Sequence, residues 1–472
     1  MGRKKLKSLA AFLATMSASF FIPLVANADD CFSISATGCV GGCQGHEISE
    51  SKRIQVSGGR HTITLNGVTI DQSSATATDQ YAAFDITGDA TVELILKGNN
   101  KLISPDGYAG LHIPAGSHLT IKGEGSLEAK GGNNGAGIGS QGIDGASGEV
   151  TIAVAKTSTI TATGGSAAAG IGGGQGGGCG KVTVESGIVK ATGGDGYEVT
   201  NSATGDVVGK VAGGTGIGTG GGGVGGGEIV LKGGEITAIG GFSDVTDNNS
   251  QRAGIDCQKL SSAGGSANLY SNSPISDSTN IDEFNGVVWQ QRKDANGKYE
   301  TVAGMAYGNA VLDKDVGSLT LTIRPGCSLT IPANTNVTLG AGGSILGDKT
   351  TSIINADQLI VSGQAYLSSD VQKKVTLDKK DIVITTPNLV YTGKSLGHTD
   401  KNSKDEVYTI SSPRHTNSST YIVDETGWEA KYFRGGIEVD EIKEAGLYQV
   451  RYSNINPNAN YSNFSFDVTV DK

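Results

Sequence analysis

The sequence predicts an all-β chain in which a right-handed parallel β-helix, a solenoid of stacked coils, precedes a small β-sandwich. Three observations predict this fold: a three-part apolar pattern that recurs along the first half, an unusual glycine content, and a change of composition near residue 374. Glycine supplies 74 of the 472 residues, more than twice its usual share of roughly 7 %. Because the glycines follow no Gly-X-Y period, this content does not indicate collagen.

Residues 1–28 are predicted to be a secretory signal peptide. A basic segment that ends at Lys7 precedes an apolar run over 9–25, and Ala26 and Ala28 form a small-x-small cleavage pattern. We therefore expect a secreted protein that is extracellular or held at the cell surface. The mature chain contains no second run of ~18 apolar residues, so no membrane span is expected in it.

Charge and cysteine usage narrow the expected partners and compartment. The formal net charge is −10, and an acidic chain lacks the basic face that a nucleic-acid-binding protein needs. Six cysteines suit an exported protein. Cys31, Cys39 and Cys43 cluster in a predicted N-terminal cap over 29–53, where we expect at least one disulfide, although spacing alone does not give the pairing.

Residues 54–264 carry the repeat that predicts the β-helix. A small-small-apolar element recurs six times, a strand-like alternation follows each of the first five, and in four of these a second alternation runs into a Gly-Gly pair. Alternation of β-branched residues is typical of strands with one buried face, and a single coil buries that face only by stacking on its neighbours. The apolar residues of the first element are Phe84, Leu111, Ile138, Ile171, Ile217 and Ile255, spaced 27, 27, 33, 46 and 38 residues apart.

The irregular repeat length favours a right-handed helix with loop insertions over a left-handed helix of strict hexapeptides. Two alternatives remain at this point. A disordered glycine-rich linker would not carry phased apolar residues. A β-sandwich built from the same strands would not explain the single recurring three-part order.

Three further segments complete the predicted organisation. Residues 265–315 interrupt the repeat and are predicted to form a hairpin excursion or cap, with Trp289 and Tyr299 side by side across an Asp-Ala-Asn-Gly turn. Residues 316–373 resume the alternation around Pro and Gly and are predicted to form further coils. Residues 374–472 contain less Gly and more Lys, Glu and Tyr, which is typical of a small immunoglobulin-like β-sandwich.

The two longest insertions, 195–214 and 242–252, both follow a Gly-Gly pair and therefore lie at the same corner of the predicted solenoid. Insertions on one face of a solenoid often form its binding face. Aromatic rings can stack on sugars, whereas grouped Asp and Asn oxygens suit Ca²⁺, the one candidate cofactor. The candidate ligand-binding residues are Tyr197, Phe242, Asn248 and Asn249, with Trp289 and Tyr299 of the hairpin, and the candidate calcium ligands are Asp244 and Asp247. The alternative is two solvated loops without a ligand.

Three stretches of the chain resemble bacterial surface proteins. NGVTIDQSS, AAFDITGDATVELILKGNNKL, AGLHIPAGSHLTIKGEGSLEAKGG and GAGIGS resemble their glycine-rich β-helix repeats, and AYGNAVLDKD with LTIRPGCSLTIPANTNVTL is similar to a segment that often follows such repeats. LVYTGKSL and EAGLYQVRYSNINPNANYSNFSFDVTV resemble bacterial immunoglobulin-like surface modules. The resemblance implies a carbohydrate-binding or adhesin-like surface protein and covers residues 54–472 with gaps.

We therefore expect a non-catalytic binding protein whose partner is a polysaccharide, a host or cell-surface glycan, or a surface protein. The first alternative is a structural stalk or matrix component without a specific ligand. The second is a polysaccharide lyase or hydrolase of the β-helix class, and hydrolysis needs paired carboxylates at a defined separation. Of the motifs typical of pectin-hydrolysing β-helices, only isolated Asp-Asp and Gly-His dipeptides occur, outside the repeats. We accordingly predict that the protein is not an enzyme.

Overall fold

The computed structural model shows an all-β protein. It describes residues 32–35, 43–48, 53–75, 81–142, 145–225, 227–243, 251–273, 280–362, 365–372, 383–385, 389–390, 409–411, 415–416, 428–440, 442, 444–454 and 464–471. The predicted signal peptide, Cys31 and Cys39 lie outside these residues. Cys43 begins a strand, Cys43–Ile48, and the predicted disulfide stays a prediction.

Three long sheets take one strand each from successive repeat units between residues 32 and 283. Sheet A consists, in spatial order, of Phe32–Ser35, Ile54–Ser57, Phe84–Thr87, Leu111–His112, Ile138–Gly139, Ile171–Gly172 and Ile217–Gly218. Sheet B consists of Cys43–Ile48, Arg60–Asn66, Thr91–Lys97, His118–Gly123, Glu149–Val154, Val182–Ser186, Glu228–Leu231, Lys259–Ser261 and Asn280–Glu283. Sheet C begins with Thr69–Asp71, Asn99–Ile103, Ser126–Lys130, Thr159–Thr163, Ile188–Thr192, Glu235–Ile239 and Ala267–Ser271.

The strand register confirms the three-part order that the sequence predicts. The apolar residues of the first element lie in one row of sheet A, in the order Ile54, Phe84, Leu111, Ile138, Ile171 and Ile217. Ile255 joins the row through a single bridge to Ile217. The first alternation forms sheet B and the second forms sheet C, and all three sheets are parallel here. An all-β fold with long parallel sheets is thus established, and it is compatible with a β-helix or solenoid.

One continuous apolar core lies between the three sheets. Leu94, Ile121 and Ile152 from sheet B and Leu127 from sheet C are at most 1 % exposed. Such a core forms because alternate residues of each strand point to the same side. Each repeat unit adds a layer of apolar side chains, and burial of this kind is the dominant favourable contribution to folding.

Glycine is required at the corner after sheet C because neighbouring repeat units stack backbone on backbone there. A β-carbon at Gly132 would overlap the carbonyl of Pro105, and one at Gly165 would overlap the carbonyl of Gly132. A β-carbon at Gly194 would likewise overlap the carbonyl of Gly165, and one at Gly241 would overlap the carbonyl of Gly194. The second glycine of every Gly-Gly pair therefore serves the stacking itself.

An antiparallel hairpin, Gly286–Lys293 with Tyr299–Tyr307, interrupts the parallel order of sheet C. Val288 joins the core of the first repeat units, whereas Val287 and Trp289 belong to a second core. The first hairpin strand is therefore buried on both faces. The predicted side-by-side placement of Trp289 and Tyr299 is wrong, because Trp289 pairs with Gly304 and Tyr299 pairs with Lys293 at the other end of the long strand.

Residues 309–371 complete the second core with shorter repeat units. Sheet C continues past the hairpin with Thr320–Ile323, Ser344–Leu346 and Tyr366–Leu367. Two further parallel sheets comprise Asn309–Val311, Ser328–Thr330 and Ser352–Ile354, and Val337–Leu339, Leu359–Ser362 and His415–Thr416. A 3-10 turn, Ala356–Gln358, and a short helix, Ser369–Gln372, complete this part.

The C-terminal part contains a five-stranded sheet in the order Leu389–Val390, Phe464–Asp471, Gly446–Asn454, Trp428–Arg434 and Ile437–Val439. A separate antiparallel pair joins Val383–Thr385 to Thr409–Ser411. An immunoglobulin-like sandwich in this region stays a prediction. Within the described ranges, no helix has the length and apolar character needed to cross a membrane.

Candidate binding groove

A groove of about 590 Å³ runs along the stacking direction at the corner after sheet C, and we name it the Gly-Gly groove. Its floor consists of the Gly-Gly pairs 131–132, 164–165, 193–194 and 240–241. One wall takes the last residue of each sheet C strand, namely Ile103, Lys130, Thr163, Thr192 and Ile239. The other wall takes Asp106, which follows Ser104 and Pro105, and then the residue after each pair, namely Asn133, Ser166, Asp195 and Phe242.

The groove is open and flat-floored for a simple steric reason. The second glycine of each pair meets the backbone of the neighbouring repeat unit, and the first meets the backbone of its own corner, so neither position has room for a side chain. The side chains that flank them repeat once per unit, at the ~4.8 Å spacing of hydrogen-bonded strands. The result is a channel whose floor is buried or half-buried backbone, between two rows of mostly polar side chains.

The outer wall is held by hydrogen bonds between successive repeat units. Asp106 Oδ1 accepts from the backbone N–H of Asn133 at 3.1 Å, and Asn133 Oδ1 accepts from the Ser166 hydroxyl at 3.0 Å. Farther along, Asp195 Oδ1 accepts from the backbone N–H of Phe242 at 2.9 Å. These bonds link the wall side chains of successive repeat units.

Two aromatic rings and a cation lie at one end of the groove. The Lys293 ammonium lies 4.4 Å from the ring centre of Phe242 and 5.4 Å from that of Tyr299, which is cation–π geometry. Gln251 Nε2 donates to the Tyr299 hydroxyl. Burial raises the pKa of Tyr299 and the charge of Asp195 raises it further, against the opposing effect of the Gln251 hydrogen bond. The hydroxyl therefore stays protonated at neutral pH.

The structure brings together two aromatic candidates that the sequence placed in separate segments, Phe242 and Tyr299. Tyr197 is not among the groove-lining residues. It begins a small hairpin, Tyr197–Thr200 with Val207–Val211, and its hydroxyl donates to Gln175 Oε1 at 3.3 Å.

The Trp289 side chain is buried in the protein interior. It is 3 % exposed, its indole N–H donates to Asn268 Oδ1 at 3.1 Å, and its ring stacks on Tyr270 with centres 6.3 Å apart. No face of this ring is open to a ligand. The candidates Asp244, Asp247, Asn248 and Asn249 lie outside the described residues, so the calcium site stays a prediction.

Sequence reasoning missed the residues that complete the groove. Lys293 and Gln251 meet the aromatic rings only because the long hairpin strand and the 242–252 insertion converge there. The row of Lys130, Thr163 and Thr192 carried a usable signal, because each stands directly before a Gly-Gly pair.

A second polar cluster lies on the outer side of sheet A. Asp85 Oδ1 lies 2.7 Å from His112 Nδ1, Arg53 reaches Asp85 Oδ2 at 3.4 Å, and the Gln141 amide lies 3.4 Å from His112 Nε2. All members of this cluster are buried or half-buried and contact one another across repeat units. Within the described part of the chain, no group of three or more His, Cys, Asp or Glu side chains is arranged to hold a metal ion.

No protein-family model, curated protein or solved structure matches the chain. The functional assignment therefore rests on the geometry of the chain itself.

Proposed function

We propose that the protein is a secreted or cell-surface glycan-binding protein without catalytic activity, and that it binds an extended glycan in the Gly-Gly groove. One observation carries the proposal: Phe242 and Tyr299 converge at the end of a long, polar-walled groove. The proposal also takes the repeat units as coils of a right-handed parallel β-helix. A protein ligand at the cell surface is the alternative partner, and a stalk without a ligand is the alternative function.

The chemistry of the groove suits a sugar chain. Sugars present hydroxyl groups around a ring whose faces are partly apolar. Aromatic side chains offer a large apolar surface with little loss of conformational freedom, and Phe242 and Tyr299 offer it here. The hydroxyl, amide and carboxylate groups of the walls can exchange hydrogen bonds with sugar hydroxyls. The glycine floor lets a bulky ring approach the backbone.

The two cores support a common handedness for the repeat units before and after the hairpin. Connections between parallel strands are right-handed in ~98 % of cases. The hairpin reverses the strand direction, so the later coils keep the handedness of the earlier ones only if their core lies on the opposite face of sheet C. Val288 faces one core and Val287 faces the other, which supports one handedness for both regions.

The test is binding of the mature protein, residues 29–472, to a glycan array with Ca²⁺ and again with a chelator. We expect selective binding that F242A with Y299A weakens about tenfold, because the apolar stacking surface is lost. Thr192→Trp fills the groove from an exposed strand position and is expected to abolish binding. Thr120→Trp, on sheet B away from the groove, and Tyr366→Ala, an aromatic that is 57 % exposed elsewhere, are the matched controls.

Each outcome separates the candidate functions. Binding that the control variants retain and the groove variants lose supports the proposal. Binding that disappears with the chelator adds a role for Asp244 and Asp247. Binding that Thr192→Trp leaves unchanged places the site elsewhere and overturns the groove assignment. Absence of glycan binding by the folded protein favours the stalk or a protein partner.

A further inference from the structure

We propose that the Gly-Gly groove receives the end of a glycan chain and does not bind the chain interior. This inference rests on the proposed glycan-binding function and adds which part of the glycan is recognised. It is carried by the hairpin strand Gly286–Lys293, which continues past the corner where the strands of the earlier repeat units stop.

The strand register places the hairpin across the path of the groove. Ala238 pairs with Ser271, and Ser271 pairs with Gln290. Lys293 lies three residues after Gln290, and the floor residue Gly241 lies three residues after Ala238. Lys293 and Gly241 therefore occupy equivalent positions along the two strand paths. The earlier chain turns away at the Gly-Gly pair, whereas the hairpin strand runs straight on through Lys293 and returns at Tyr299. A lysine and its hairpin partner therefore stand where the floor would otherwise continue.

The contacts at this position form a closed wall. Lys293 lies over Phe242, and Tyr299 accepts a hydrogen bond from Gln251. Gln251 Nε2 also donates to the Gly240 carbonyl at 2.8 Å, which ties the wall to the floor. Phe242 forms an antiparallel bridge with Gln251, so the base of the 242–252 insertion belongs to the same wall.

The opposite end of the groove is built differently. Thr69–Asp71, Asn99–Ile103 and Ser126–Lys130 end in a single row, because Asp71 pairs with Ile103 and Ile103 pairs with Lys130. None of these three strands extends past the corner. Among the strands of sheet C that the structure describes up to residue 307, only the hairpin does so.

A wall at one end of the groove favours binding of the end of a glycan chain over its interior. An internal segment of a glycan would have to continue through Lys293 and Tyr299, whereas a terminal sugar can meet them with its free ring face and its extra hydroxyl group. The Lys293 ammonium, the Gln251 amide and the Tyr299 hydroxyl supply polar partners for that hydroxyl. The polar rows then contact the sugars that follow the terminal one.

The experiment measures how many protein molecules bind each glycan chain. The probes are xylan, galacturonan, mannan and cellulose oligosaccharides, short and long, from whichever series the wild-type protein binds. Analytical ultracentrifugation of the mature protein with each probe gives the ratio. We expect one protein per chain at every length, because a linear chain has one end of each chemical kind. Lys293→Ala with Tyr299→Ala opens the wall and should let the ratio rise with length, whereas Phe242→Ala should weaken binding less than the double variant F242A with Y299A does and keep the ratio at one.

Failure of this inference differs from failure of the proposed function. A wild-type ratio that rises with chain length, together with loss of binding in Thr192→Trp, overturns end recognition and leaves groove binding intact. A ratio of one that Thr192→Trp does not affect overturns both, because the chain end is then bound outside the groove. Absence of binding in every series overturns the proposed function and the inference with it.

Discussion

The repeat units of residues 54–271 and those of 309–371 share sheet C but turn their corners by different physical means. In the first region, a β-carbon at Gly165 would overlap the backbone of the neighbouring unit. In the second, Gly326 and Gly342 have φ of +75° and +77°, and a β-carbon there would meet nothing within 4 Å. At these positions glycine thus serves close stacking in the first region and backbone conformation in the second, although Gly343 of the second region is also stacked closely, against the Gly317 carbonyl.

The difference accounts for the groove at the first region's corner row. Stacked Gly-Gly pairs give a floor without side chains and leave room for long insertions between repeat units. In the second region, Leu321 and Ile345 pair after twenty-four residues and Val337 and Leu359 pair after twenty-two, so little chain is left for loops. The hairpin 286–307 lies between the two regions, and its residues Lys293 and Tyr299 line one end of the groove.

The largest contrast between the regions is expected in cysteine reactivity. Burial raises the pKa of Cys179 and of Cys257 to about 12, so neither thiol forms much thiolate at neutral pH. Cys327, in the second region, is only half-buried. We expect iodoacetamide to label Cys327 on the order of a hundredfold faster or more, as followed by peptide mass spectrometry. Equal labelling rates for Cys179 and Cys327 in the folded protein would contradict the described packing of the first core.

Glycine substitutions test the corner comparison directly. Gly165→Ala forces a β-carbon into the Gly132 carbonyl, and neither backbone can move away without disturbing the stack. We expect it to lower the free energy of unfolding by about 3 kcal/mol or more. At Gly326 a β-carbon meets open space, so Gly326→Ala should lower the free energy of unfolding only through the positive φ, by about 1–2 kcal/mol. Urea titrations of both variants give the values, and equal losses would remove the distinction between the corners.

Two adjacent valines test the separation of the cores. Val288→Ala removes methyl groups from the first core and Val287→Ala removes them from the second, each at a cost of about 2 kcal/mol. We expect Val288→Ala to speed the hydrogen exchange of backbone amides mainly in residues 91–271. Val287→Ala should speed it mainly in residues 309–371. If both variants loosen both regions alike, the two cores form one cooperative unit.

The smallest effect is expected for the charged pairs that link repeat units on the outer side of sheet B. Lys232 Nζ lies 2.7 Å from Glu185 Oε1, and both side chains are 43 % exposed. Water and salt screen such pairs, so Lys232→Ala should cost less than about 1 kcal/mol in thermal unfolding. A larger loss would mean that these pairs, and not the apolar rows, hold neighbouring units together.

The sequence was sufficient for the part of the fold that depends on local repetition. The apolar rows through Phe84, Leu111 and Ile138 could be aligned from spacing alone, because each strand must bury one face. The hairpin was harder, since its strand length and register depend on the cores that it separates. Val287-Val288-Trp289 did carry a signal, because a continuous apolar run is typical of a strand buried on both faces. Trp289 accordingly packs inside the protein.

The candidate site was predictable only in pieces. Phe242 and Tyr299 could each be selected as aromatic residues in unusual segments, but fifty-seven positions separate them in the chain. Their convergence requires the stacking of several repeat units and the overhang of the hairpin strand. Lys293 has no distinguishing local pattern, and its place over both rings follows from tertiary structure alone.

The most direct test of groove binding is photo-crosslinking of the mature protein with a diazirine-bearing form of an oligosaccharide that it binds. Mass spectrometry of the cross-linked peptides locates the sugar. We predict cross-links in 130–133, 163–166 and 192–195, with the diazirine-bearing chain end on Lys293 or Tyr299. Cross-links confined to the C-terminal sheet, 428–471, would contradict the assignment of the Gly-Gly groove as the binding site.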